Sequence, residues 1–243
     1  MKDELIQWVN SICEQTKKIW EETGRDKRGY AIFYSPVKYH PRFMIIGYNP
    51  GGGDKDFLPD KCVQSEHDYK KSTYPLARNM RKIFEGTDLL DDLFESVKFN
   101  LIFFRSKNKK DLNYNDELIK FSLLKTTEII KILNPEIIIA EGFGTFEEII
   151  NLYPNQCKEI HDSFYDKKRI MRRAKISINE SKILVLGLIH PSSGWGLTDE
   201  IFNKLGRLIR QEVLLKEGFE QDNTICVFSN DENIIKEVQK FFV

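Results

Sequence analysis

The chain has 243 residues, 37 Lys+Arg balanced by 37 Asp+Glu, and 41% apolar residues including 17 Phe, 9 Tyr and 3 Trp. That is enough apolar material for a packed core, and the balanced charge excludes disorder driven by net charge. No apolar run reaches membrane-spanning length, and Met1-Lys2-Asp3-Glu4 lacks the basic and apolar regions of a signal peptide, so a soluble, cytoplasmic protein is expected.

From Asp3 to Glu22, Leu5, Val9, Ile12, Ile19 and Trp20 recur at a helical period, and Gly24 follows, which predicts an amphipathic packing helix. Tyr30 to Tyr34 reads as a short edge strand. Four apolar runs come next, at Phe43–Ile46, Val97–Phe104, Ile137–Ala140 and Ile183–Ile189. Leu76, Met80, Ile83 and Phe84 predict a helix between the first two. Leu118, Phe121, Leu124 and Ile129 predict a longer one, capped by Asn115 and ended by Asn134-Pro135. Thr145 with Glu148 predicts a capping box after the third run. Lys167 to Ile178 reads as an edge hairpin. Thr198 or Asp199 opens a helix through Leu215 that stops at Gly218, and the tail adds a strand (224–228) and a helix (231–242).

Continuous apolar runs alternating with helices predict an α/β fold. The expected form is a three-layer sandwich: a central four-stranded parallel sheet flanked by helices, plus a C-terminal strand–helix extension. With ~150 residues per domain as a guide, one elaborated domain over 1–243 is expected, its core about 43–215 and its extension 219–243. Cys13, Cys62, Cys157 and Cys226 are scattered without a CxxC pair, and the four histidines are dispersed. Neither a disulfide framework nor a metal site is expected, and no cofactor.

Open α/β sheets bind ligands beyond the C-terminal ends of their strands, so the residues following each run are the ones to inspect. They are Gly47-Tyr48-Asn49-Pro50-Gly51-Gly52-Gly53-Asp54, Asn100 with Arg105-Ser106, Glu141-Gly142-Phe143-Gly144, and His190-Pro191-Ser192-Ser193-Gly194-Trp195-Gly196. The first loop fits neither GxGxxG nor a P-loop, which argues against nucleotide triphosphates. An Asn before Pro and three glycines holds an amide at a strand end while leaving the adjoining backbone bare, a geometry suited to a planar ligand or a positioned water. Pro191 fixes the chain after His190, and the small residues beyond it let backbone N–H groups approach a phosphate.

Gly47-Tyr48-Asn49-Pro50-Gly51 and His190-Pro191-Ser192-Ser193 resemble the two signature loops of the uracil-DNA glycosylase superfamily, in the right order and each after a strand. The resemblance spans about 43–215. It implies a monofunctional DNA glycosylase that hydrolyses the N-glycosidic bond of a flipped uracil-like or 5-modified pyrimidine in DNA, working as a monomer away from membranes. The alternative is a catalytically weak or inactive module on the same fold that binds a nucleotide or modified DNA. Asn49 is similar to the residue that orients the attacking water. Uracil-specific branches carry Asp there, and mismatch-specific and single-strand-selective branches carry Asn. An amide is no base, so positioning and charge stabilisation would carry the reaction. His190 resembles the histidine that hydrogen-bonds the base O2, as imidazole or imidazolium.

Asn100 resembles the asparagine that reads the edge of the flipped base, since an amide matches the O4/N3 pair. A buried amide satisfied by backbone is the competing role. Gly51 stands where a thymine-excluding tyrosine is found, leaving room at C5. Phe57 or Tyr74 is the candidate for stacking on the base, with Gly47, Tyr48 and Pro50 completing the pocket. Asp54 could supply the carboxylate that Asn49 lacks, although a cap is its simpler role. Ser192, Ser193, Gly194 and Trp195 are the expected DNA contacts, Trp195 as a plug for the emptied stack. Lys107, Lys109 and Lys110, beyond the second run, are candidates for phosphate contacts. The six basic residues within 167–175 are either a second such patch or a solvated face.

Overall fold

The computed structural model describes residues 2–23, 29–51, 62–106, 117–157, 159–192 and 196–217. Among them the chain forms a mixed α/β domain around one sheet. The elements run α1 (Lys2–Thr23), β1 (Phe43–Gly47), α2 (Asp68–Lys71), α3 (Pro75–Glu85), α4 (Leu90–Phe94), β2 (Val97–Asn100), α5 (Glu117–Leu133) and β3 (Ile137–Glu141). Then follow α6 (Phe143–Asn151), β4 (Ile160–Tyr165), β5 (Lys168–Ile178), β6 (Ser181–Leu188) and α7 (Asp199–Lys216).

The sheet order is β2-β1-β3-β6-β5-β4. The four apolar runs supply β2, β1, β3 and β6, which pair in parallel, with Gly47 beside Asn100 and Glu141 beside Leu188. Their side chains are buried on both faces, which is why these strands read as unbroken apolar runs. One face (Met44, Ile46, Phe99, Ile138, Val185) packs on α1, α5 and α6. The other (Phe43, Ile45, Ile139, Leu186) packs on α3, α4 and α7, through residues such as Met80, Phe84, Phe202 and Ile209.

Several expectations are corrected. The sheet has six strands rather than four, because β5 and β4 join it antiparallel. Lys167 to Ile178 is not a hairpin in itself. Lys168–Ile178 is one long strand paired on both sides, flanked by two-residue turns at Asp166-Lys167 and Asn179-Glu180 whose residues all have positive φ, the mark of type I′ hairpins. The outer strand β4 (IHDSFY) is largely exposed, so no apolar run announced it. Tyr30 and Phe33 make only isolated bridges, to Phe104 and to Val63 and Phe99, and the second run is extended only as far as Asn100. The Thr145–Glu148 capping box does not form. Helix α6 starts three residues earlier with Gly142 at its N-cap, and the Thr145 hydroxyl donates to the Glu141 carbonyl. Thr198 does cap α7, accepting from the Ile201 N–H, and Asn134 at φ 45° ends α5. Asn115, Gly218 and the C-terminal strand–helix extension (219–243) lie outside the described residues. No helix among the described residues is long and apolar enough to cross a membrane.

The cysteines depart furthest from expectation. Cys13 on α1 is joined to Cys62 by a disulfide across a separation of 49 residues, a pairing that spacing cannot reveal because only tertiary packing brings the two together. A cross-link closing a loop of this length restricts the unfolded chain. Replacing Cys13 with Ser, or adding dithiothreitol, is therefore expected to lower unfolding free energy by about 2–4 kcal/mol, read from urea denaturation.

Candidate active site

The C-terminal ends of the four parallel strands form one edge, carrying in spatial order Asn100 (β2), Gly47 (β1), Glu141 (β3) and, two residues past β6, His190. Asn49 and His190 thus come to the same edge with β3 between them. Gly47 matters because it has no side chain. A Cβ there would lie 2.1 Å from Asn100 Oδ1 and 3.0 Å from Glu141 Oε2, so the amide and the carboxyl meet over the bare strand end. Asn100, Glu141 and, one pleat lower, Lys98 all project from the face that is otherwise packed with Phe43, Ile45 and Ile139.

Buried polar groups need partners, and the segment from His67 to Tyr74 provides them. Tyr69, itself fully buried, donates its hydroxyl to Glu141 Oε1. The Lys98 ammonium sits 4.3 Å and 4.7 Å from the ring centres of Tyr34 and Tyr69 and 3.9 Å from Asp68 Oδ2. Asp68 also accepts hydroxyls from Ser72 and Tyr74, and Tyr34 shares a hydrogen bond with the Asn100 side chain. His67, hydrogen-bonded to Ser96, accepts from the Tyr69 N–H to cap α2.

Burial sets the charges. Desolvation first, and the Asp68 charge second, push the Glu141 carboxyl up to about 8, so it is neutral at pH 7. Desolvation pulls Lys98 down to about 8 against the opposing pull of Asp68, and pulls His67 down to about 4. The phenols of Tyr34 and Tyr74 are raised, chiefly by burial.

The two signature loops are held separately. In the first, Tyr48 and Gly47 accept backbone N–H bonds from Ile102 and Leu101. The Asn49 amide donates to Ser106 Oγ at 2.9 Å and to the Pro50 carbonyl at 3.1 Å, turning its N–H groups toward the segment after β2. Pro50 is buried, and Gly51 is exposed with its carbonyl held by Arg105. A Cβ at Gly51 would meet no heavy atom of the described residues within 4 Å, so there is room there for a substituent.

In the second loop the His190 ring lies against Gly142, whose φ of 108° and 3.1 Å clearance to His190 Cδ2 require glycine. Its Nδ1 accepts from the Ser192 N–H at 3.3 Å, which places the proton of the neutral ring on Nε2. Ser192 Oγ lies 2.9 Å from the same nitrogen. Desolvation lowers the ring's pKa, favouring the neutral form that the sequence left open. Asn79 of α3 anchors the loop by donating to the Pro191 carbonyl.

Tyr74 is 39% exposed beside this cluster, edge-on to Tyr69, and is available for stacking. Phe57, Asp54, Lys107, Lys109, Lys110, Ser193, Gly194 and Trp195 lie outside the described residues. The three arginines of β5 are ion-paired. Arg169 and Arg172 bind Asp162, Arg172 also binds Glu147, and Arg173 binds Glu212. Lys98, Asp68, Tyr69 and Tyr34 were not among the expected site residues, and Glu141 stood out only as a strand-end residue without a role. A lysine inside Val97-Lys98-Phe99 and a carboxyl ending Ile-Ile-Ile-Ala were visible signals, whereas Asp68 and Tyr69 lie in a polar stretch with no pattern.

The chain matches no family model, and no curated protein is significantly similar to it.

Gly47→Ala is expected to force Asn100 off the strand end and cost about 1–3 kcal/mol, measured by urea unfolding. For Glu141, the fold keeps a proton that the unfolded chain has released between pH 4.5 and about 8. Its contribution to stability is full below 4.5 and lost as the pH rises through 8. The melting temperature of the wild type relative to Glu141→Gln should therefore fall from pH 5 to pH 8, with His67 and Lys98 common to both proteins. Parallel pH curves would contradict the assignment.

Proposed function

We propose that the protein is a monofunctional DNA glycosylase that hydrolyses the N-glycosidic bond of a flipped uracil-like or 5-modified pyrimidine. The observation that carries this reading is the placement of Asn49, Asn100 and a neutral His190 on one edge of the parallel sheet, around a strand end left bare by Gly47. Their chemistry suits the reaction. As the C1′–N bond breaks, negative charge collects on the departing base, and a preorganised donor at the base oxygen stabilises it more than it stabilises the bound substrate. His190 Nε2–H is such a donor, and its loop is braced by Asn79 and Ser192. Asn100, held by Tyr34, offers a donor and an acceptor to the edge of the base. The open space at Gly51 supports acceptance of a 5-substituent.

Base extrusion costs a few kcal/mol, least for unpaired or mismatched bases. The arginines of β5 are committed to ion pairs, so phosphate would be met first by the loops at the strand ends. Purified protein is expected to release free base from a deoxyuridine-containing oligonucleotide and leave an abasic site. Asn49→Ala and His190→Ala should each slow single-turnover release about 100-fold or more. Salt-sensitive binding to the same oligonucleotide without an abasic product would instead favour the non-cleaving module, which the engaged Asn49 amide also suits.

A further inference from the structure

We propose that Asp68 is the general base of the site, supplying the carboxylate that Asn49 lacks. This rests on the glycosylase reading and deepens it. A cavity of about 470 Å³, the size of a small-molecule site, is lined among others by Tyr34, His67, Asp68, Ser72 and Arg105. Two of these residues tie it to the signature elements: Tyr34 is hydrogen-bonded to Asn100, and Arg105 to the Gly51 carbonyl.

The Asp68 side chain is 12% exposed, so it is fixed in place while still facing the cavity. Ser72 Oγ donates to Oδ1 at 2.5 Å, Tyr74 donates to Oδ2, and Lys98 Nζ lies 3.9 Å from Oδ2. Two hydroxyls occupy two of the carboxylate's roughly four lone-pair directions, which leaves capacity to hold a water. The charged and titratable groups facing Asp68 are Lys98 on β2, Tyr34, His67, Tyr74 and Glu141. Lys98 lies beside the Asp68 carboxylate, and burial raises the Glu141 carboxyl to about 8, which disfavours its charged form.

The alternatives within the site fail on chemistry. Asn49 is an amide, Glu141 is only 2% exposed and bonded to Tyr69, and His190 has Nδ1 occupied and Nε2 protonated. Glu66, also on the cavity wall, is bound by Lys71.

In the step assigned here, a water oxygen bonds to C1′ while the C1′–N bond breaks. One water proton goes to the Asp68 carboxylate, and the bond's electron pair leaves with the base, which takes up a proton on release.

The test is single-turnover release of uracil from single-stranded and duplex oligonucleotides carrying one deoxyuridine. Wild type, Asp68→Asn, Asp68→Glu, Glu66→Gln, Asn49→Ala and His190→Ala are compared, with oligonucleotide affinity measured in parallel. Asp68→Asn should lose about 100-fold in rate with affinity unchanged. Asp68→Glu, with its carboxylate displaced, should retain more rate than Asn but less than wild type, and Glu66→Gln should lose far less rate than Asp68→Asn.

If Asp68→Asn fails to melt cooperatively, Asp68→Glu decides: wild-type rate in that variant overturns the proposal. Asp68→Asn within twofold of wild type, while Asn49→Ala and His190→Ala are slow, overturns the base assignment and leaves the glycosylase reading standing. A wild type that releases no base from either oligonucleotide overturns both.

Discussion

The missing side chain at Gly47 is the constraint on which the rest of the site depends. Parallel strands covered on both faces normally bury only hydrocarbon, and most of this sheet does so. At the C-terminal end of β1 the glycine opens a gap at the centre of one face, and the Asn100 amide and Glu141 carboxyl reach into it from the strands on either side. Two polar groups in that position cost free energy unless each finds a partner. The conformation of the segment from His67 to Tyr74 answers this need. It brings Tyr69 to Glu141, while Tyr34 satisfies Asn100 from the opposite side.

Charge is the second constraint. Lys98 is a cation with almost no water around it, tolerated because two aromatic faces and the Asp68 carboxylate surround it. Glu141 avoids the same difficulty by remaining protonated. The buried cluster therefore holds one charge pair and one neutral acid, an arrangement in which removing any single member leaves another unpaired. Such networks rigidify a site and hold its groups in position.

Helix α3 links the two halves of the edge. Its Arg81 binds the carbonyls of Tyr69 and Ser72, so it fixes the segment that covers the polar cluster, and its Asn79 holds the Pro191 carbonyl of the His190 loop. The far side of α3 packs on α7 within the apolar core. The loop carrying Asn49 is braced differently, by Ser106 and Arg105 beyond β2. The two signature loops are thus supported by different elements.

What the sequence determined by itself was periodic or local. Apolar runs marked the four parallel strands, a 3.6-residue period marked α1, α3, α5 and α7, and strand ends marked Asn49, Asn100 and His190, because these signals arise within a few neighbouring residues. Strand β4 escaped because it is polar and exposed, and β5 was misread because turn residues at both its ends mimic a hairpin. Only the tertiary structure decided the Cys13–Cys62 link, the meeting of Asn100 with Glu141 over Gly47, and the downward shift of the His190 pKa. It also brought Tyr69 to Glu141, 72 residues away in the chain, and set Asp68 beside the buried Lys98. Contacts of that kind join residues far apart in the chain, and the protonation states depend on burial, a property that belongs to the folded packing and not to any stretch of sequence.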